Sequence, residues 1–272
     1  MVEGARLESE YTPKAYRGFE SLPLRHLFLS QEGRGLEACR CRRCGGFCPC
    51  QPQGTRTLSA PTVRIWDVPT RLFHWAIVIL VPALWWTHRI GRLDLHIMLG
   101  EVMLGLILFR LIWGVIGSST ARFAGFLRGP GTVLEYVRGR AAAVFGHNPV
   151  GGWSAVVMLL LLAVQVALGL FVTDEDGLNS GPLSRLIEYD SARTLADRHE
   201  TVFYILLGFI ALHVAAIFYY LLVKRDNLIT PMVTGSRAAP QSGEAMAAAP
   251  LWRFLAAAAL ATGLTLVIVC LL

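Results

Sequence analysis

Charge is what this sequence has least of. Asp, Glu, Lys and Arg make up 16% of its 272 residues, against about a quarter in an ordinary soluble domain. Hydrophobic residues make up 54%, and the mean hydropathy is +0.50. Cysteine is also confined: five of the six lie between Cys39 and Cys50, and the sixth is Cys270. That distribution excludes the spaced framework of a disulfide-stapled secreted domain. The first 60 residues lack an apolar core of signal-peptide length, so the first apolar span is expected to act as the targeting signal itself. No basic stripe interleaved with aromatics occurs, which sets nucleic acid aside as a partner. No internal repeat is evident either. The net charge of +6 lies mostly outside the apolar blocks, and it therefore carries information on membrane surface and topology.

What is present is a series of long apolar stretches, at roughly 72–90, 96–117, 153–172, 200–223 and 251–272. Each approaches the 20 or so residues that a helix needs to cross the hydrocarbon core. Helix is the only element open to them, because an open sheet edge cannot face lipid. The expected fold is an all-α integral membrane protein: a four-helix transmembrane bundle over 62–235, followed by a linker and a fifth, C-terminal transmembrane helix within 236–272. Residues 1–61, rich in Arg, Gly, Pro and Glu, read as a disordered extension. Pro82 falls inside the first span, where it removes one helical hydrogen bond. The connection near His88 to Leu95 is short, so the first two helices are antiparallel neighbours. The second connection (118–152) holds Arg122, Arg128, Arg138 and Arg140 against Glu135, and the fourth span ends in Lys224 and Arg225. Basic loops stay in the cytoplasm, so the N-terminus is expected inside, in a bacterial cytoplasmic (inner) membrane.

Five of the seven histidines, His74, His88, His96, His199 and His213, lie in these spans or at their ends; His26 and His147 lie outside. An ionisable side chain at membrane depth calls for a partner. His199 and His213 are 14 residues apart, about 40° short of four helical turns and about 21 Å along the axis. One helix thus offers imidazoles on one side near both membrane faces. His74 begins the first span at the inner side and His96 begins the second at the outer side. Depth therefore pairs His74 with His213 and His96 with His199. Each pair suits an iron held from both axial sides, with the flat, apolar macrocycle of a haem inside the bundle. By spacing alone His88 also fits the outer position, being 14 residues from His74. It sits in an interfacial Trp85-Trp86-Thr87-His88-Arg89 belt, which is a second explanation for it. Gly100, Gly105, Gly169 and Gly208 allow close approach of a flat ligand or of a neighbouring helix. Arg110, inside the second span, and Arg71, just before the first, are either counter-ions for haem propionates or side chains reaching the interface.

At this point the chain resembles the bacterial, nickel-hydrogenase-type cytochrome b561 family. The segments that carry the resemblance are VRIWDVPTRLFHW (63–75), HIMLGEVMLGLILFRLIWG (96–114), FGHNPVGGW (145–153) and RHETVFYILLGFIALHVAAIFYYLLVKRDNLITPMVTG (198–235). The resemblance implies a four-helix membrane core with two non-covalent b haems, ligated by His74, His96, His199 and His213. It also implies electron transfer between a quinone pool and a partner at the membrane surface, such as a c-type cytochrome or an oxidoreductase subunit. The leading expectation is thus a di-haem relay in a respiratory chain, surrounded by membrane lipid. Two alternatives stand beside it: a haem-bearing anchor of a hydrogenase-like complex, and a transporter or sensor whose histidines handle protons or metal ions.

Two further clusters lie outside the apolar spans. The C-x-C-x2-C-x3-C-x-C run of Cys39, Cys41, Cys44, Cys48 and Cys50 has thiolate spacing suited to zinc or an iron–sulfur cluster, but it has no periodic structure around it. The acids of the third connection (173–198), Asp174, Glu175, Asp176, Glu188, Asp190 and Asp197, offer a docking surface with His147, or simply solvated residues.

Overall fold

A computed structural model describes residues 62–140, 149–238 and 246–271. The N-terminal extension with its cysteine run and His26, and the segment holding His147, lie outside the described residues. The element order is β1 (Thr62–Arg64), α1 (Val68–Arg89), α2 (Leu93–Ile116), α3 (Phe123–Phe126), α4 (Pro130–Val137), α5 (Pro149–Gly169), a 3-10 turn at Ser184–Leu186, α6 (Tyr189–Leu222), α7 (Ile229–Thr234), β2 (Ser236–Ala238) and α8 (Leu251–Leu266), which continues as a π-helical turn over Val267–Leu271. Five of these helices, α1, α2, α5, α6 and α8, are long and apolar enough to cross a membrane. The end holding the α1–α2 turn is called upper here, and the end holding the strands lower.

Local chemistry sets the helix limits. Asp67 caps α1, its Oδ1 accepting the Thr70 amide at 2.9 Å, and Pro69 occupies the first turn, where no amide donor is needed. The α1–α2 turn passes through Gly91 at φ +71°, a left-handed conformation that glycine adopts without strain. The sequence suggested that the fourth span begins near 200, yet α6 starts at Tyr189 and has 34 residues. That is about 51 Å, well beyond a hydrocarbon core of about 30 Å. Its first turns are the acid-rich stretch read from sequence as loop. The acids favour a helix N-terminus there, with Glu188 at the cap and Asp190 in the first turn. In the remaining α5–α6 connection, the Asp174 carboxylate accepts from the Asn179 side chain at 2.8 Å and from its amide at 3.0 Å. The Asn179 side-chain bond holds that carboxyl below its ordinary range. Glu175 pairs with Arg193 on α6 at 3.1 Å.

The core runs between α2, α5 and α6, where Met103, Leu104 and Ile107 meet Leu162, Val166 and Leu206. Lipid is as apolar as leucine, so this contact is held by packing rather than by exclusion of water. The fifth helix, whose place the sequence left open, lies along α2. Ala257 and Ala261 are fully covered there, letting the backbones approach closely. Phe254 lies with its ring centre 5.8 Å from Phe109 and 6.2 Å from Trp113. The lower end is closed by an antiparallel pair, with Val63 opposite Arg237, by the Ile65 amide donating to Gly235 O at 2.8 Å, and by an ion pair between Arg237 and Asp226. The segment after 235, read as a linker, thus begins by joining the chain just before α1.

Candidate functional site

His96 is the fourth residue of α2. Its ring crosses to α1, where Nδ1 lies 2.9 Å from the backbone oxygen of Leu84. His199, on α6, crosses to α5 in the same way, with Nδ1 2.9 Å from the oxygen of Gln165. A carbonyl oxygen can only accept, so in each neutral imidazole Nδ1 carries the hydrogen and Nε2 keeps its lone pair free. The two rings have centres 6.2 Å apart and an interplanar angle of 77°. Two imidazoles that bind one metal ion from opposite sides, with metal–nitrogen bonds of about 2 Å, have ring centres about 6 Å apart. The donor set would therefore fit an iron shared between the two imidazoles, and the backbone bonds are the outer partners that would orient such ligands.

Glycines make the space. A Cβ on Gly169 would lie 3.1 Å from His199 Cε1 and 3.4 Å from its Nδ1, so the ring reaches Gln165 O only because residue 169 has no side chain. Gly100 lies one turn below His96 on the same face, and a Cβ there would meet nothing within 4 Å, which leaves room for a flat group beside the pair. His88 is exposed, with its ring centre 5.8 Å from that of His96. Sequence reasoning did not single out Gln165. Its signal was present, as a lone amide in an otherwise apolar span, buried and with Oε1 unpartnered among the described residues.

At the lower end His74 lies edge-on to Trp75, ring centres 5.1 Å apart. Its Nδ1 is buried without a hydrogen-bond partner among the described residues. His213 on α6 lies within electrostatic reach of it. Two arginines flank this end. Arg71, one turn before His74, donates from Nη1 to Val233 O, while its Nε is buried and unpartnered among the described residues. Gly235, at φ +83°, leaves the room, since a Cβ there would lie 3.2 Å from Arg71 Cζ. Arg110 does not reach the interface: it is only 7% exposed, its guanidinium lies 4.8 Å from the Phe123 ring centre, and its Nη1 is unpartnered among the described residues. Asp67 lies within electrostatic reach of it, and the Asp67 Oδ2 accepts from Trp113 Nε1 at 2.8 Å and Ser118 Oγ at 2.6 Å. This hub ties the start of α1 to the end of α2. Sequence reading passed over Asp67 because a capping residue before an apolar run looks local.

Unpartnered buried donors on Arg71, His74 and Arg110 are costly unless something accepts from them. An anionic, iron-bearing group at this end fits that set. Taken together, the site consists of two groups of histidines at two levels of α6, His96 with His199 oriented by backbone carbonyls and His74 with His213 flanked by cations.

A family model described as prokaryotic cytochrome b561 matches residues 65–235. The span runs from just after β1 to Gly235 and contains all four paired histidines; α8 and the N-terminal extension lie outside it. No curated protein and no solved structure matches the chain.

Proposed function

The chain belongs to the prokaryotic cytochrome b561 family, and on that premise we propose that it is a di-haem relay of a respiratory chain, passing electrons between a quinone pool and a redox partner at the membrane surface. Membership makes it a multi-pass bacterial membrane cytochrome that binds b-type haem and transfers electrons. The number of haems, their ligands, the quinone and the partner are our reading. His96 and His199 hold one haem near the upper face, and His74 and His213 hold the second near the lower face. Arg71 and Arg110 neutralise propionates of the lower group. The lower end, with Arg122, Arg128, Arg138, Arg140, Lys224 and Arg225, faces the cytoplasm, as basic connections do. The partner is a c-type cytochrome or an oxidoreductase subunit.

A b-type haem, when bound, supplies a one-electron ferric/ferrous couple. The residues around it do the rest. Leu84 O and Gln165 O fix the ring planes and tautomers of His96 and His199, so Nε2 meets the metal without reorganisation. Met103, Leu104, Ile107 and Leu206 exclude water between the two ends. α6 carries one ligand toward each face, about 21 Å apart along its axis.

The observation that carries this reading is the His96–His199 pair, with both Nδ1 atoms occupied and ring centres 6.2 Å apart. The test is haem stoichiometry on purified protein. Wild type is expected to give a b-type reduced-minus-oxidised spectrum at two haems per chain. His96→Ala and His199→Ala should each remove the same one, and His74→Ala and His213→Ala the other. Loss of the upper haem in His88→Ala but not in His96→Ala overturns the pairing. Well-folded protein without haem overturns the whole.

A further inference from the structure

We propose that Glu101 is the proton-accepting residue of a quinol site in the upper half of the membrane, between α2 and the terminal turn of α8. The proposal rests on the di-haem relay reading above. α2 spans Leu93–Ile116, so Glu101 lies about 12 Å along the axis from its upper end, well inside a hydrocarbon core of about 30 Å. A carboxyl at that depth is unfavourable and marks a functional position unless a partner accounts for it. None does: Glu101 is half-buried, and among the described residues no hydrogen bond or ion pair engages it. It has no role in the histidine pairs, since it lies about 140° around α2 from His96.

Its surroundings point to an apolar ligand with an acidic hydroxyl. Glu101 lies one turn above Gly105, whose missing Cβ opens on Thr265 Oγ1 at 3.3 Å, so it continues the stripe that faces α8. The two helices run antiparallel, and the part of α8 opposite Glu101 is the π-helical turn Val267–Leu271. Such wide turns recur at functional sites. Few other ionisable groups face this position. The opposing turns of α8 carry only Cys270, and residues 79–87 of α1 and 159–169 of α5 carry none; His88, Arg89, Arg92, Asp94 and His96 lie at the upper end of α1 and α2, and the upper part of α6 carries Arg198, His199, Glu200 and Tyr204. Among the described residues Glu101 is thus the half-buried carboxyl one and a half turns below a proposed haem ligand, whereas Glu200, next to His199 on α6, is exposed.

Oxidation of a quinol releases two electrons and two protons. The two haems of the proposed relay would take one electron each, and the redox partner at the membrane surface would reoxidise them. Each hydroxyl O–H bond breaks with its proton moving to the Glu101 carboxylate, which releases it to the upper aqueous face before the second transfer. General-base assistance of this kind is worth about 100-fold or more in rate.

The experiment compares wild type, Glu101→Gln and Glu101→Asp in lipid nanodiscs. Haem reduction is followed after mixing with decylubiquinol, with a short-tailed menaquinol, and with dithionite, which needs no site. Decylubiquinone binding is measured separately by tryptophan fluorescence quenching. Glu101→Gln is expected to slow quinol-driven reduction about 100-fold and to leave haem content and the dithionite rate unchanged. Glu101→Asp should restore part of the rate. Quinone binding should weaken several-fold in Glu101→Gln, which a purely structural role would not produce with intact haem. Wild-type quinol kinetics in Glu101→Gln overturn the role of Glu101 and leave the relay standing. A haem-loaded wild type that neither quinol reduces overturns the quinone reading, and this proposal with it.

Discussion

Gly169→Ala tests the upper site with a single methyl group. In an ordinary helix interior the change stabilises by about 0.5–1 kcal/mol, because glycine loses more backbone freedom on folding. Here the added Cβ lies 3.1 Å from His199 Cε1 and 3.4 Å from Nδ1. The imidazole must move by a few tenths of an ångström, away from α5 and from the Gln165 oxygen that holds it at 2.9 Å. Overpacking of this kind costs about 1–3 kcal/mol. The balance is a net loss of about 0.5–2 kcal/mol at the upper pair, equivalent to about 2- to 30-fold weaker retention of the upper haem. Haem per chain, measured by pyridine haemochrome during dilution in detergent, should fall from the upper site only. Gly208→Ala is the control, because a Cβ there meets nothing within 4 Å and Gly208 lies about 180° around α6 from His199; it should be neutral or slightly stabilising. If Gly169→Ala retains the upper haem as wild type does, or loses the lower one, the glycine does not shape the His199 site.

Three other outcomes follow from the hydrogen bonds and the packing. Asp67→Ala removes the acceptor of Thr70 N, Trp113 Nε1 and Ser118 Oγ and deprives buried Arg110 of its acid; a loss of about 3–5 kcal/mol is expected in denaturant titration, and a shift under about 1 kcal/mol would refute the hub. Ala257→Leu puts three more carbons into a fully covered contact with α2, so α8 should separate from α2 at a cost of about 1–3 kcal/mol; a cysteine cross-link placed between α2 and α8 that still forms at the wild-type rate would contradict this. The depressed Asp174 carboxyl makes the 173–180 turn stable above its unfolded value of about 4 and lost as pH falls through the lower folded value. Amide exchange at Asn179 should therefore accelerate below about pH 4, and Asp174→Asn should remove that dependence.

Much of the fold was legible because hydropathy reports on lipid directly. Five apolar blocks became five helices, and five of the seven histidines lie within them. What escaped was mostly polar and local. The acids at 188–197 read as loop because charge opposes a membrane span, although the same acids favour the start of a helix that projects beyond the bilayer. The place of α8 was hidden because Ala257 and Ala261 give no hydropathy signal distinct from lipid-facing alanine. The depth of His96 and His199 was readable from spacing, but the acceptors that orient them, Leu84 O and Gln165 O, are backbone atoms that every residue possesses. Arg110 was legible as a problem, and its neighbour Asp67 was not, since 43 residues of chain separate them.

On the proposed di-haem reading, the two ends differ in a way that would order the redox potentials. At the upper end both ligands donate Nδ1–H to backbone carbonyls, which increases ligand basicity and favours the ferric state. At the lower end the His74 Nδ1 has no such partner among the described residues. Arg71 and Arg110 also add two cations there, with Asp67 the acid within electrostatic reach of Arg110. Net positive charge stabilises the ferrous form, which carries one electron more. Both effects act in one direction, so the lower haem should have the higher potential. A difference of about 60 mV, equivalent to about 1.4 kcal/mol for one electron, is expected in a redox titration with two resolved waves. His96→Ala should keep the high wave and His213→Ala the low one. Arg110→Gln should lower the high wave and leave the other in place. If the wave that survives in His96→Ala is the lower of the two, hydrogen bonding and local charge do not set the potentials, and electrons would enter from the end opposite to the one that Glu101 marks.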